Sequence, residues 1–376
     1  RRRGGRVSTG SLVVLAGARL LGPARLRLLL THHTADDAVD RLRTNRPLHP
    51  MFTRGVPADR IESLRRRVSA SCPEQAAEAC ERHGVAVVAL GAPRYPAALL
   101  HDPEAPVALF VRGDLGALDA RRVGIVGTRH ATAAGRATAT ELGAALASES
   151  VAVISGLARG IDAAAHRGVR TAEGAGRAVA VVGSGPDVHY PKCNAELWEW
   201  VASTGLLVSE WPPGVPPDAW RFPQRNRILA GLSEVLVVVE SRERGGSLIT
   251  ARAAAERGID VMAVPGSPRS RASSGTNRLL VDGVAPVTSV DDVLAALGLD
   301  HRRQGSLPFD SREPPDDVQQ LVLDACVEQP SHLDMIVRAT GLEISDAALA
   351  AARLERSGWL VEAGGWFEPL GSRLCG

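Results

Sequence analysis

The residues of this sequence that could do chemistry sit in short glycine-containing turns, each placed after an apolar run. Gly127-Thr128-Arg129 follows Val123–Val126, and Ser155-Gly156-Leu157-Ala158-Arg159-Gly160 closes the run Val151–Ser155. Gly183-Ser184-Gly185 follows Ala178–Val182 and leads to Tyr190-Pro191-Lys192, while Arg244-Gly245-Gly246-Ser247 lies beyond Val235–Val239. A glycine turn between strand and helix points backbone N–H groups at an incoming anion, and the helix dipole favours negative charge there. Three of these turns also hold an arginine, whose planar guanidinium grips phosphate through two parallel hydrogen bonds. One such turn is ordinary for an α/β fold; four on one sheet edge describe a polyanion site. A further segment, Trp220 to Ile228, sets Arg225, Asn226 and Arg227 beside Phe222, ahead of a helix expected at Ile228–Leu232. Guanidiniums next to a ring suit a strand whose phosphates and bases are both accessible. Read without a partner, the same segment is a solvated charged loop.

Other chemistries fail on spacing. A dinucleotide fingerprint after Val182 needs glycines at 183, 185 and 188, and position 188 is Val188. A P-loop needs a lysine after its glycines, and the sole lysine is Lys192. Ser155, Asp162 and His166 could be imagined as a hydrolytic set, but no GxSxG elbow is present. The Asp162/His166 spacing of one helical turn reads instead as a structural hydrogen bond. No His, Cys or Asp group has metal-ligand spacing. The expectation is a binding protein with no cofactor, no metal and no catalytic residue.

These turns need a scaffold, and the pattern supplies one. Apolar runs at Val85–Leu90, Val107–Val111, Val123–Val126, Val151–Ser155, Ala178–Val182, Leu206–Ser209, Val235–Val239 and Ile259–Val264 alternate with helical stretches at Gly135–Ala147, Ile161–Thr171, Ala195–Ala202 and Leu248–Arg257. That alternation predicts an α/β fold with a Rossmann-like, doubly wound parallel sheet covered on both faces, spanning residues 79–298. Residues 1–78 read as a small helical domain, with arginines between leucines as on amphipathic helices; its Gly22-Pro23 turn is weakly like a helix-hairpin-helix. Residues 299–315, rich in Arg, Gln, Gly, Ser and Pro, read as a linker. Residues 316–376 read as a winged-helix-like unit, with helices at Val318–Glu328, Leu333–Thr340 and Ser345–Ser357 before a hairpin. Arg353 and Arg356 are offset there by Asp346 and Glu355, which favours protein contact or a structural role over DNA recognition.

Composition limits the setting. The chain has 376 residues, 45% of them hydrophobic, and a net charge of +2, so any basic surface is local. Its 5 cysteines are scattered, so a reduced, cytoplasmic compartment is expected. Arg19, Arg25 and Arg27 interrupt the apolar N-terminal stretch, which argues against a signal peptide, and no run reaches the roughly 18 apolar residues of a membrane span. The absence of an initiator Met is expected of a trimmed or incomplete N-terminus.

Taken together, the segments resemble the DprA/Smf (DNA-processing A) family. The resemblance rests on Val126-Gly127-Thr128-Arg129, on Ser155 to His166, on Tyr190-Pro191, on Ser209-Glu210-Trp211-Pro212-Pro213-Gly214, on Phe222 to Gly231, on Gly246-Ser247-Leu248-Ile249-Thr250-Ala251, on Val264-Pro265-Gly266-Ser267 and on Gly275-Thr276-Asn277-Arg278, in family order. Thr128 stands where the family usually has Ser, and Gly245 where Ser is usual. The resemblance implies single-stranded DNA binding, loading of the RecA recombinase during natural transformation (competence) and recombination, and a homodimer. It implies that Arg129 holds a phosphate, that Tyr190 stacks on a base with Lys192 along the strand, that Arg225 and Arg227 line the groove, and that Gly246 and Ser247 donate hydrogen bonds. The rival reading is a nucleotide-processing enzyme, a phosphoribohydrolase whose glycine loop precedes a catalytic Glu. Here Ala251 and Arg252 stand where that Glu should be.

Overall fold

The computed structural model describes residues 9–18, 20–299, 312, 315–327 and 331–370. The arginines at 1–3, Arg19, Cys375 and nearly all of the expected linker lie outside them. The chain divides into two compact units at residue 300.

Six helices open the first unit: α1 (Thr9–Gly17), α2 (Pro23–His32), α3 (Ala35–Arg43), α4 (Pro50–Thr53), α5 (Ala58–Ser69) and α6 (Pro73–Arg82). Leu15, Leu29, Leu42, Phe52 and Val68 form their core. That core also takes in Ala108 and Phe110 of the sheet, and α6 runs through residue 78. Helix α3 shows the local logic: Thr34 caps it by accepting from the Asp37 N–H at 3.2 Å, acids fill its first turn and arginines its last.

A sheet of 9 strands follows: β1 (Ala86–Ala89), β2 (Ala108–Gly113), β3 (Arg122–Gly127), β4 (Ala152–Ser155), β5 (Ala178–Val182), β6 (Leu206–Ser209), β7 (Val235–Glu240), β8 (Asp260–Ala263) and β9 (Ala285–Pro286). Their order is β1-β2-β6-β5-β4-β3-β7-β8-β9. Each expected run became a strand, and β9, two residues long, carries too little pattern to be read. From β6 to β9 the sheet is parallel. The expectation of a wholly parallel sheet is corrected at its edge, where β2 pairs antiparallel with β6 and β1 antiparallel with β2. A parallel crossover needs a covering helix, and between β1 and β2 there is only α7 (Ala97–Leu100).

Side chains alternate between the faces, as the strand period of two requires. Val235, Val237 and Val239 meet one core, with helices α8 (Ala133–Ser148), α9 (Ile161–Thr171) and α10 (Ala195–Thr204). Leu236 and Val238 meet the other, with α7, α11 (Arg221–Leu232) and α12 (Gly246–Ala255). Helices α13 (Ser274–Val281) and α14 (Val290–Ala296) complete this unit. Helix α11 differs from expectation: the segment from Arg221 to Arg227 is its first half, not a loop before it. Pro223 falls in the first turn of α11, where proline is tolerated.

His166, on α9, is fully buried. It makes no side-chain bond to Asp162, so the expected Asp–His pair is not formed. Neither ring nitrogen finds a hydrogen-bond partner of ordinary geometry. Burial holds its pKa down at about 4, which the backbone at Val179 and Val153 opposes without reversing. The unfolded chain therefore takes up this proton near pH 6.5 while the folded one does not, so stability falls with pH down to about 4 and by about 3 kcal/mol for this group. Urea titrations from pH 7 to pH 4 should show that loss and should lose much of it in His166→Leu; an identical pH slope in the variant would remove His166 as the cause.

The second unit holds α15 (Asp317–Val327), β10 (Ser331–His332), α16 (Leu333–Thr340), α17 (Ile344–Arg356), β11 (Leu360–Ala363) and β12 (Trp366–Pro369). Its three helices close on a three-stranded antiparallel sheet around Val322, Cys326, Ile336, Ala351 and Leu354.

Candidate functional site

Strand order reverses between β3 and β7, and a cleft of about 620 Å³ opens there at the carboxyl ends of the strands. That is where open α/β sheets hold ligands. The turn after β3 gives Gly127, Thr128 and Arg129; the loop after β7 gives Arg242, Arg244, Gly246 and Ser247; α11 gives Phe222, Arg225 and Asn226; Tyr190 enters from beyond β5. Glu240 ties the first two together: its carbonyl accepts from the Thr128 N–H at 2.7 Å, and its carboxylate accepts from the Thr132 N–H and hydroxyl, both at 2.8 Å.

The rim is cationic and aromatic. Arg129 is exposed, its guanidinium carbon 4.9 Å from the centre of the Phe222 ring, and Phe222 lies 5.4 Å from Tyr190 at a tilt of 35°. Some guanidiniums elsewhere are tied to carboxylates, as Arg112 is to Glu199, Arg121 to Glu234 and Arg257 to Asp102. Among the described residues Arg129, Arg242 and Arg244 have no such pair. Helix α12 starts at the cleft with no side-chain cap and no acid in its first turn, which leaves its positive end to a ligand. The carboxylates on the lining are the half-buried Asp218 and the buried Asp162.

Beneath the rim lie two buried titratable side chains, Arg225 and Asp162. Arg225 is only 4% exposed and donates from Nη1 to the Val181 carbonyl at 2.8 Å; its Nε has no partner. Burial pushes the Asp162 carboxyl up, against the pull of the Arg225 and Arg129 guanidiniums and of the Ala158 and Gly156 backbone. Burial likewise lowers Arg225, and the Asp162 charge opposes that. A Cβ on Gly156 would lie 1.7 Å from Arg225 Nη1, so any larger residue there must push that guanidinium from its place. Gly160, at φ 79°, brings the same loop against the Thr128 carbonyl, which a Cβ would meet at 2.2 Å.

Not every candidate from the sequence reaches the cleft. Arg227 points away: both oxygens of Glu210 accept from its Nη2, at 2.7 and 2.6 Å, and the pair is buried. It does not line the groove, because a helix turns successive residues about 100° apart and gives Arg225 and Arg227 different faces. Ser155 is fully buried, its hydroxyl donating to the Ile125 carbonyl at 2.6 Å. Arg159 and Lys192 are exposed but outside the lining. Phe222 and Arg244 line the cleft as well, and so do His130 and Arg242, which the sequence pattern did not single out. The adjacency of Arg242 to Gly245-Gly246 is the signal for one of these two.

A doubly wound sheet with an arginine-rimmed, ring-bearing cleft at its switch point defines a Rossmann-like α/β protein. Residues 86–298 match the family model for DNA recombination-mediator protein A, and the chain belongs to that family. It is 33% identical to Protein Smf of Synechocystis over 73% of this chain and 77% of that protein. It is 42% identical to DNA processing protein DprA of Streptococcus pneumoniae over 54% of this chain and 70% of that one. Among solved structures, that of Streptococcus pneumoniae DprA matches with a TM-score of 0.66 at 30% identity, covering 77% of this chain and 98% of the other. DNA processing protein A from Helicobacter pylori, described for its single-stranded DNA binding mode, matches with a TM-score of 0.52 at 26% identity, covering 57% and 96%.

Proposed function

We propose that the cleft binds single-stranded DNA. The observation that carries this is the set of carboxylate-free guanidiniums of Arg129, Arg242 and Arg244 beside the Phe222 and Tyr190 rings. Phosphates need the first and unpaired bases the second, since stacking surfaces are reached only when bases are not already paired. The Helicobacter pylori relative supports the same ligand. In this reading the protein loads RecA onto the strand during DNA uptake and recombination and works in the cytoplasm as a homodimer, roles supported by family membership. Among the described residues no helix is long and apolar enough to cross a membrane.

The test is a titration of oligo(dT) against duplex DNA at two salt concentrations. Sub-micromolar binding is expected for the single strand and weak binding for the duplex. Three phosphate contacts give a log–log salt slope of about −2, hence a loss of roughly 20-fold between about 50 and 200 mM salt. Equal affinity for both forms would sink the proposal. Adenine release from AMP in the same preparation would favour the phosphoribohydrolase reading instead.

A further inference from the structure

The cationic rim continues beyond Arg244. The loop over residues 264–273, between β8 and α13, carries Arg269 and Arg271, both exposed. It is fastened to the cleft: the Glu243 N–H donates to Ser274 Oγ at 3.1 Å, and that hydroxyl donates to the Arg271 carbonyl at 3.0 Å. The Gly275 N–H donates to the Ser241 carbonyl at 2.8 Å. Asn277 clamps the loop's start, accepting from the Gly266 N–H at 3.0 Å and donating to its carbonyl at 2.9 Å. The loop is thus held against the segment that bears Arg242 and Arg244.

Its charge is unbalanced. No acidic residue occurs between Asp260 and Asp282. Arg278 is paired with Asp282 at 3.1 Å, whereas Arg269 and Arg271 have no carboxylate partner among the described residues. Helix α13 begins here with no acid in its first turn and no side-chain cap, which adds a second positive helix end beside that of α12. Glu243 is the acid between the two arginine pairs, and its backbone, not its carboxylate, makes the loop contact.

We propose that Arg269 and Arg271 form a second phosphate subsite, which takes the backbone of the single strand after it leaves the cleft and lengthens the stretch of nucleic acid held. This rests on the reading of the cleft as a single-strand site. The experiment uses the full chain and fluorescence anisotropy with oligo(dT) of about 4 and about 16 nucleotides, comparing wild type, Arg129→Ala and the double variant Arg269→Ala/Arg271→Ala. The double variant should bind the short oligonucleotide as wild type does. It should bind the long one roughly tenfold more weakly, with a salt slope smaller by about 1.4, that is, two contacts at about 0.7 each. An unchanged long-oligonucleotide affinity and slope, with Arg129→Ala still impaired on both lengths, would overturn the subsite and leave the cleft standing. Equal weakening on both lengths would also overturn it, as general attraction. No binding of either length by wild type would remove the cleft and the subsite together.

Discussion

Arg227→Ala is expected to cost about 3–5 kcal/mol of folding stability, the usual consequence of leaving one partner of a buried ion pair alone. Arg227 and Glu210 are each only 7% exposed at their side chains, and Arg227 also donates to the Glu104 carbonyl. Removing the guanidinium leaves the buried Glu210 carboxylate without its ion-pair partner. Burial already pushes the Glu210 pKa up against the pull of Arg227, so without Arg227 the carboxyl takes a proton more readily. The deficit should therefore shrink as the pH is lowered. Replacing both residues, as Arg227→Leu with Glu210→Leu, should recover most of the loss, because no charge is left unpaired. Urea denaturation of the variants reads this directly. A fully stable Arg227→Ala that had lost only DNA binding would show that Arg227 faces the ligand after all.

That prediction marks where the sequence stopped being legible. The strands were readable because Val, Ile and Leu buried on both faces leave runs with no other use, and those at 123–126, 151–155, 178–182 and 235–239 all became the parallel centre of the sheet. The glycine turns were readable for the same reason: a chain leaving such a strand for a helix must bend, and Gly127 and Gly156 lie where it does. Arginine was the difficulty. With a single lysine in the chain, arginine has to serve as surface charge, as buried strut and as ligand, and its type alone does not separate the three. Arg129 became a rim group, Arg225 a floor group held under Gly156, and Arg227 a strut, though the last two are two residues apart. The decision lay in the helical phase of α11, which begins at Arg221 and not at Ile228. Phe222 is the counterpart. It was noticed as a neighbour of the arginines, but only the fold brings it under Arg129 and beside Tyr190.

Arg129→Ala should leave stability within about 0.5 kcal/mol of wild type, as expected of an exposed side chain without a carboxylate partner, yet weaken single-strand binding by roughly tenfold to a hundredfold. A hydrogen bond to a charged group is worth about 1.5–3 kcal/mol, and among the described residues the Arg129 guanidinium has no ion-pair partner, its carbon lying 4.9 Å from the centre of the Phe222 ring. The salt slope should fall by about 0.7, one phosphate's worth. Phe222→Ala separates the two kinds of contact at the same place. Losing a stacking ring costs about 1–3 kcal/mol per base but releases no counterion, so affinity should fall while the slope stays put. Arg129→Lys should keep the slope and recover only part of the affinity, since an ammonium cannot present two parallel donors to one phosphate. If Arg129→Ala lost affinity with its salt slope unchanged, the guanidinium would be orienting Phe222 and not gripping phosphate, and the anionic half of the site would have to be carried by Arg242 and Arg244.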